Sequence, residues 1–246
     1  MTLTRGVFLS DLHMPDNIPL GPVFDFLKDF KPDTVILGGD IIDAKGLHGA
    51  DAMRAEDVNM GWFKRDMTLA RGLLADITRL TDTVIYLAGN HEERYERLRT
   101  KYPDLFADSL NFRAALSGWV DQYIPYGTAA SYYKLGDMVF THGDIYPELN
   151  AKPYALRYSP YKVCYGHLHH FQAYTAHRAL LNESPRFAIT AGCLSTTNPD
   201  WKKGKANQWV NGFVSFVTDG KTTTPTVHII DGGRFIAGNK IYGKGA

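Results

Sequence analysis

The sequence predicts an α/β fold built on a two-sheet core with helices outside. Two observations carry this reading. In the first half, short apolar runs ending in polar residues alternate with helical periodicity, the pattern of buried parallel strands joined by helices. Past about residue 120 the pattern turns to short strands broken by turn residues, with little helical spacing. An α/β first half feeding a β-rich second half suggests two stacked sheets, an arrangement in which ligands collect at strand ends. The 246 residues, 44% hydrophobic and 22% charged, are enough for one large core, so a single domain spanning 1–246 is expected.

The first strand is expected at 4–10, and 34–37 and 83–88 repeat its form. Between the first two, Val23, Phe26, Leu27 and Phe30 keep helical spacing, and Pro32, which has no amide hydrogen to donate, closes the segment. Between the next two, Met60, Phe63, Met67, Ala70, Leu74 and Ile77 step by three and four, with Lys64, Arg65, Arg71, Asp76 and Arg79 off that face. This Met and aromatic stripe reads as core packing of a long amphipathic helix. Later strands are expected at 132–135, 139–142, 162–165, 171–177, 187–190, 213–218 and 226–230.

The composition excludes disorder, collagen and coiled coil. The 2 Cys residues make no disulfide framework and suit a reducing compartment. The apolar run at 7–9 is far shorter than a signal-peptide core, and no later stretch approaches a membrane span, so a cytoplasmic protein with no membrane partner is expected. A net charge of +1, from 27 Lys plus Arg against 26 Asp plus Glu, gives no global attraction to nucleic acid. Any grip on a polyanion has to be local. No repeat, low-complexity tract or charge block marks a linker.

Each early strand ends in residue types that bind metals: Asp11 and His13 in SDLH, Asp40 in GGD, and Asn90, His91 and Glu92 in GNHE. Later strands end in THGD, with His142, and in GHLHH, with His167 and His169. Side chains two apart on an extended segment share a face, so Asp11 with His13, and His167 with His169, are expected to aim in pairs at one spot. Single glycines, Gly39, Gly89 and Gly166 before donors and Gly143 after His142, allow sharp turns at a crowded site. Asp11, His13, Asp40, Asn90, His142, His167 and His169 supply two carboxylates, an amide oxygen and four imidazoles, too many donors for one ion. Two divalent ions fit. Spaced roughly 3.5 to 4 Å apart in such centres, they need a bridging carboxylate, and Asp40, the lone acid between two Gly-flanked loops, is the candidate. Imidazole and oxygen donors without thiolate favour Mn, Fe, Zn, Co or Ni over Ca or Mg, with Mn the first choice.

The order D-x-H, G-D, G-N-H-E, H, G-H-x-H across residues 11–169 resembles the calcineurin-like metallophosphoesterases. GNHEERYERL, THGD, AGCL, NPDW and the W-x-x-G-F at 209–213 look like small phage and prophage members, and extend the likeness over nearly the whole chain. The resemblance implies a four-layer α/β/β/α two-sheet sandwich and a dinuclear-metal-dependent phosphoester hydrolase. It implies one metal held by Asp11, His13, Asp40 and His169, and the other by Asp40, Asn90, His142 and His167. It also implies attack on phosphorus by a hydroxide bridging the metals, with no amino-acid nucleophile. His91 would then stand near the leaving-group oxygen and donate it a proton or hydrogen bond, so Asp40 and His91 are the expected catalytic residues.

Arg94, Arg97 and Lys101 lie on one helical face after GNHE, and Arg94 is near enough to the motif to reach a phosphate. Asn90, His91 and Arg94 are therefore the expected substrate contacts, while Arg97 reads as a partner of Glu93 at i, i+4. Asp43, His48, Asp144 and His170 neighbour the donors and are candidates for orienting an imidazole, Asp144 foremost for His142. Cys164 and Cys193 read as small buried apolar residues, and Trp201, Trp209, Tyr158 and Tyr161 as core or as stacking surfaces for a base. Asp40 is followed by Ile41, Ile42, Asp43, Ala44 and Lys45, whereas phosphoprotein phosphatases carry an Arg shortly after this motif. Glu92 stands where cyclic-nucleotide phosphodiesterases and repair nucleases mostly show Asp. A phosphodiesterase on small or nucleic-acid phosphodiesters is expected first, and the low charge points to short or single-stranded nucleic acid over duplex. A phosphomonoesterase of similar mechanism is the alternative, and a catalytically idle binding module is the reading of a different class. The oligomeric state is open at this point.

Overall fold

The computed structural model describes residues 2–49, 52–106, 108–176 and 185–243. Strands β1 (Thr4–Leu9), β2 (Thr34–Leu37) and β3 (Thr83–Leu87) run parallel, with Gly6 opposite Thr34 and Thr34 opposite Thr83. Period-two alternation sorts their side chains between two cores. Val7, Leu9, Val35, Leu37, Val84 and Tyr86 enter one, and Phe8, Ile36, Ile85 and Leu87 the other. Because both faces are covered, these strands read as unbroken apolar runs.

Helices α1 (Gly21–Phe30) and α2 (Met60–Ile77) cover the first face with Val23, Phe26 and Leu27, and with Met67, Ala70, Leu74 and Ile77. Helix α1 has a proline in its first turn and ends at Lys31, at φ 51° in the left-handed region, just before Pro32. The start of α2 is capped by Asn59, whose side chain accepts from the Gly61 amide at 2.8 Å. Short helices α3 (Asn90–Lys101), α4 (Pro103–Phe106) and α5 (Phe112–Ala115) add Tyr95, Leu98, Phe106 and Phe112 to the same core. Strand β4 (Gln122–Ile124) then pairs parallel with β3.

The second sheet is built from β5 (Tyr133–Leu135), β6 (Met138–Thr141), β7 (Lys162–Tyr165), β8 (Phe171–Ala176) and β9 (Arg186–Ala191). Its order is β5-β6-β7-β9-β8, with β6, β7 and β9 parallel. A helix that sequence periodicity did not reveal, α6 (Ala151–Arg157), covers the outer face of this sheet, setting Ala151, Tyr154 and Ala155 on Val163, Tyr165 and Ala188. The strand expected at 171–177 ends at Ala176, and His177 lies outside the described residues. The chain returns to the first sheet through β10 (Asn211–Thr218) and β11 (Thr223–Ile230), giving the order β11-β10-β1-β2-β3-β4. A hairpin of β12 (Phe235–Ala237) and β13 (Lys240–Tyr242) closes over α1, with the Tyr242 and Phe26 rings 5.4 Å apart.

Between the sheets, Phe8, Ile36, Phe140, Cys164, Val214 and Phe216 form the second core. The layers run helix, sheet, sheet, helix, which is the α/β/β/α arrangement expected. Among the described residues, no helix is long and apolar enough to cross a membrane.

Candidate functional site

The expected donors all lie just past the carboxyl ends of parallel strands: Asp11 and His13 after β1, Asp40 after β2, Asn90 after β3, His142 after β6, and His167 and His169 after β7. Strand alternation is not what pairs them, contrary to the sequence expectation. Asp11, His13, Asp40, His167 and His169 have φ of 56, 48, 49, 82 and 61°, the left-handed region that side chains seldom adopt. Each such residue costs about 1–3 kcal/mol and persists only where its surroundings enforce it, a pattern that clusters at functional sites. The loops also meet too closely for side chains at two positions. A Cβ on Gly39, itself at φ 87°, would lie 2.6 Å from His142 Nδ1, and one on Gly89 would overlap the Asp40 carboxylate.

The donor atoms converge in clusters whose atoms lie within 4.8 Å of one another, Asp11 with His13 and His169 and Asp40 with His142 and His167, linked by a third cluster of His13, Asp40 and His91. Asp40 Oδ2 stands between them, 3.7 Å from His13 Nε2 and 3.3 Å from His142 Nε2. His169 Nε2 is 3.0 Å from His13 Nε2 and 3.3 Å from Asp11 Oδ1, while Asn90 Oδ1 is 3.1 Å from His142 Nε2. The outward nitrogens are tied down. His142 Nδ1 donates to the Gly38 carbonyl at 2.9 Å, and His13 Nδ1 donates to Asp43 Oδ1 at 3.1 Å. These bonds fix each ring with Nε2 facing inward, the nitrogen a metal would take with loss of any proton on it.

Inward, the partners satisfy one another only in part. His13 Nε2 and His169 Nε2 face each other, and both ring nitrogens of half-buried His167 have no hydrogen-bond partner. Buried polar atoms are rarely left so. A cation at the centre would satisfy them together, and the set of imidazole, carboxylate and amide donors suits a first-row divalent ion. The electrostatics agree. Burial opposes charge on His142, yet the Asp40 and Asp11 carboxylates raise its pKa to about 10. Burial and the neighbouring His142 instead push His167 down to about 4. Asp40 is held well below the usual carboxylate range, because His142, His91 and His13 outweigh its desolvation. The cluster thus has a place for positive charge beside Asp40.

One residue of this site had no role assigned from sequence. Glu92, 1% exposed, accepts at Oε1 from the Ile41 amide at 2.8 Å, the Ile42 amide at 3.2 Å and the Tyr86 hydroxyl at 3.0 Å. At Oε2 it accepts from the amides of Asp40 at 3.0 Å and Gly89 at 2.8 Å. One carboxylate therefore fastens the loop that presents Asp40 to the loop that presents Asn90.

His91, at the start of α3, is held on three sides. Its amide donates to Asp40 Oδ1 at 2.9 Å, its Nδ1 donates to the Asp43 carbonyl at 2.5 Å, and its Nε2 accepts from Arg94 Nη2 at 3.0 Å. Arg94 Nη1 donates to the same Asp43 carbonyl at 2.9 Å, so Arg94 lines the cleft as a partner of His91. Arg97 pairs with Glu93 at 3.7 Å, as the spacing predicted. Asp43 orients His13 and also lies 3.3 Å from His91 Nδ1, whereas half-exposed His48 reaches it only at 3.8 Å. Asp144 does not orient His142; it pairs with Arg157, and the Gly38 carbonyl fills that role instead. His170 turns away, its Nδ1 donating to the Leu168 carbonyl at 3.1 Å. Cys164 and Cys193 are buried free thiols, and burial pushes Cys193 up to about 12, so neither is poised as a nucleophile. Trp201 and Trp209 line the cleft beside the donors; Tyr158 and Tyr161 do not.

Residues 5–171 match the calcineurin-like phosphoesterase family. Among solved structures, Vps29 from Chaetomium thermophilum is similar over 97% of this chain and 98% of its own, with 13% identity and a TM-score of 0.54. Vps29 from Cryptosporidium parvum is similar over 98% of this chain and 99% of its own, with 12% identity and a TM-score of 0.52. These likenesses are likenesses of fold. No curated protein matches the sequence. The family match covers every strand-end loop from Asp11 to His169, and the chain belongs to the calcineurin-like phosphoesterase family.

Proposed function

We propose that the chain is a dinuclear-metal-dependent phosphoester hydrolase acting on small or nucleic-acid phosphodiesters. The observation that carries this reading is the convergence of Nε2 and carboxylate atoms around Asp40, with the outer nitrogens of His13 and His142 fixed and both ring nitrogens of His167 left without a partner. Asp11, His13, Asp40 and His169 would hold one ion, and Asp40, Asn90, His142 and His167 the other, with Asp40 shared. Two divalent ions there supply Lewis acidity, lowering the pKa of bound water and neutralising charge on phosphoryl oxygens. Manganese is the first candidate among the ions such donors accept.

The chain's own residues then position the ester. Asn90 and His91 sit at the amino end of α3, where the helix dipole favours an anion. A phosphoryl oxygen drawn to Arg94 would take up its Nη2 donor and free His91 Nε2 to serve the leaving-group oxygen. In the metal-free chain the Asp40 and Asp43 charges outweigh burial and raise the His91 pKa above its ordinary value.

The reading is tested by loading the purified chain with Mn²⁺ and screening mono- and diesters. Diester hydrolysis is expected to exceed monoester hydrolysis, and a metal-loaded chain that turns over neither would be a binding module instead. His91→Asn should keep the metal content. It should slow esters of poor leaving groups by roughly 10²- to 10⁴-fold, and nitrophenyl esters far less. Equal losses on both ester types would assign His91 to positioning.

A further inference from the structure

The cleft that contains the donors is about 240 Å³, and Trp201 and Trp209 give its lining an aromatic part. Trp209 leans on His169 with ring centroids 4.1 Å apart, and Trp201 meets Trp209 edge to face at 5.8 Å. The Lys202 ammonium lies 3.7 Å from the centre of the Trp209 ring, so Trp209 is engaged by both neighbours. Trp201 meets Trp209 and has the Lys202 ammonium 5.4 Å from its ring centre, yet it is 66% exposed at the cleft mouth, on the one-turn helix Asp200–Lys202. Its ring borders the donor cleft with much of its surface open to a planar ligand.

Resting on the hydrolase reading, we propose that Trp201 is a stacking platform for the base of a nucleotidyl phosphoester, with Lys202 beside it to meet an adjacent phosphate. Three features point to this ligand class. Trp201 offers an exposed indole, and planar bases stack on such a ring face whatever their sequence. Lys202, Lys203 and Lys205 share its turn, so the aromatic surface is paired with positive charge on a chain that is otherwise near neutral. Two ring contacts link Trp201 to His169, which ties the base platform to the donor cluster where the phosphorus would sit. So few local cations suit a single-stranded or mononucleotide ligand; a duplex grip would need many more.

The test compares thymidine 5′-(p-nitrophenyl phosphate) with methyl p-nitrophenyl phosphate, which has the same leaving group and no base, on the Mn²⁺-loaded chain. The unmodified chain should prefer the nucleotidyl ester. Trp201→Ala should cut that preference about tenfold, mainly through KM, within the factor of roughly 5 to 150 that stacking one base provides. Trp201→Phe should keep most of it. As a readout independent of turnover, thymidine 5′-phosphate should quench indole emission. In Trp201→Phe the quench should fall to the part that Trp209, in the same cleft, supplies, with affinity kept, and in Trp201→Ala affinity should be lost as well. An unchanged ester preference in Trp201→Ala, with no quench in the unmodified chain, would overturn the inference and leave the hydrolase reading standing. Quenching that depends on Trp201 in a chain that hydrolyses no ester would support the platform and overturn the hydrolase reading.

Discussion

Asp40→Asn is expected to strip the chain of both metal ions and to lower phosphodiester turnover by roughly 10³-fold or more, since one charge-stabilising donor alone is worth about 10² to 10³. The substitution is nearly isosteric. An asparagine keeps the side-chain oxygen that accepts from the His91 amide at 2.9 Å, so the loop has no reason to move. What it removes is the negative charge that lies 3.7 Å from His13 Nε2 and 3.3 Å from His142 Nε2. Without that charge, two cations roughly 3.5 to 4 Å apart repel each other unscreened. Elemental analysis and thermal melting on one preparation separate the effects. Lost metal with preserved folding is the expected pair of results, and normal metal content with normal turnover would show that Asp40 is not the shared ligand.

Glu92→Gln should be nearly as damaging, by a different route. Whichever way the amide is turned, its NH₂ group faces at least two of the donors that the carboxylate now accepts. With the oxygen at the Oε1 position, those are the amides of Asp40 and Gly89. A buried donor left without an acceptor costs about 1–3 kcal/mol, so a stability loss of about 2–5 kcal/mol is expected in urea titration. Because the same contacts set Asp40 against Asn90, metal affinity should also fall, by about 10- to 100-fold, the range seen when partners of metal ligands are removed. Tyr86→Phe deletes a single donor to the same carboxylate and should cost far less on both measures. A Glu92→Gln protein that is less stable but binds metal with unchanged affinity would make Glu92 a clamp of the fold alone.

Much of this molecule is legible in its sequence for definite physical reasons. The strands of the first sheet are buried on both faces, so they appear as apolar runs, and α1 and α2 bury one stripe each, so they show steps of three and four. The donors were visible because each follows a strand end and carries unusual chemistry for a loop. What residue type does not show is what backbone supplies. The acceptor for His142 is the Gly38 carbonyl, which leaves no trace in residue type, while Asp144 looked like the natural partner. Four of the donors to Glu92 are backbone amides of residues 40, 41, 42 and 89, and no side-chain pattern announces them. The positive φ of Asp11, His13, Asp40, His167 and His169 was hidden for the same reason, since extended spacing predicts the same pairing by another geometry. Helix α6 went unseen because it is 7 residues long, has Pro153 in its first turn, and shows the sheet only small Ala151 and Ala155 beside Tyr154.

The account stands on two ions sharing Asp40, and the most direct measurement is metal stoichiometry. The purified chain is stripped with chelator, reloaded with Mn²⁺, freed of excess ion, and analysed for metal and protein together. Two ions per chain, falling to fewer than one in Asp40→Asn, is the predicted result. One ion or none, bound to a folded chain with Asp11, His13, Asp40, Asn90, His142, His167 and His169 all intact, would contradict it.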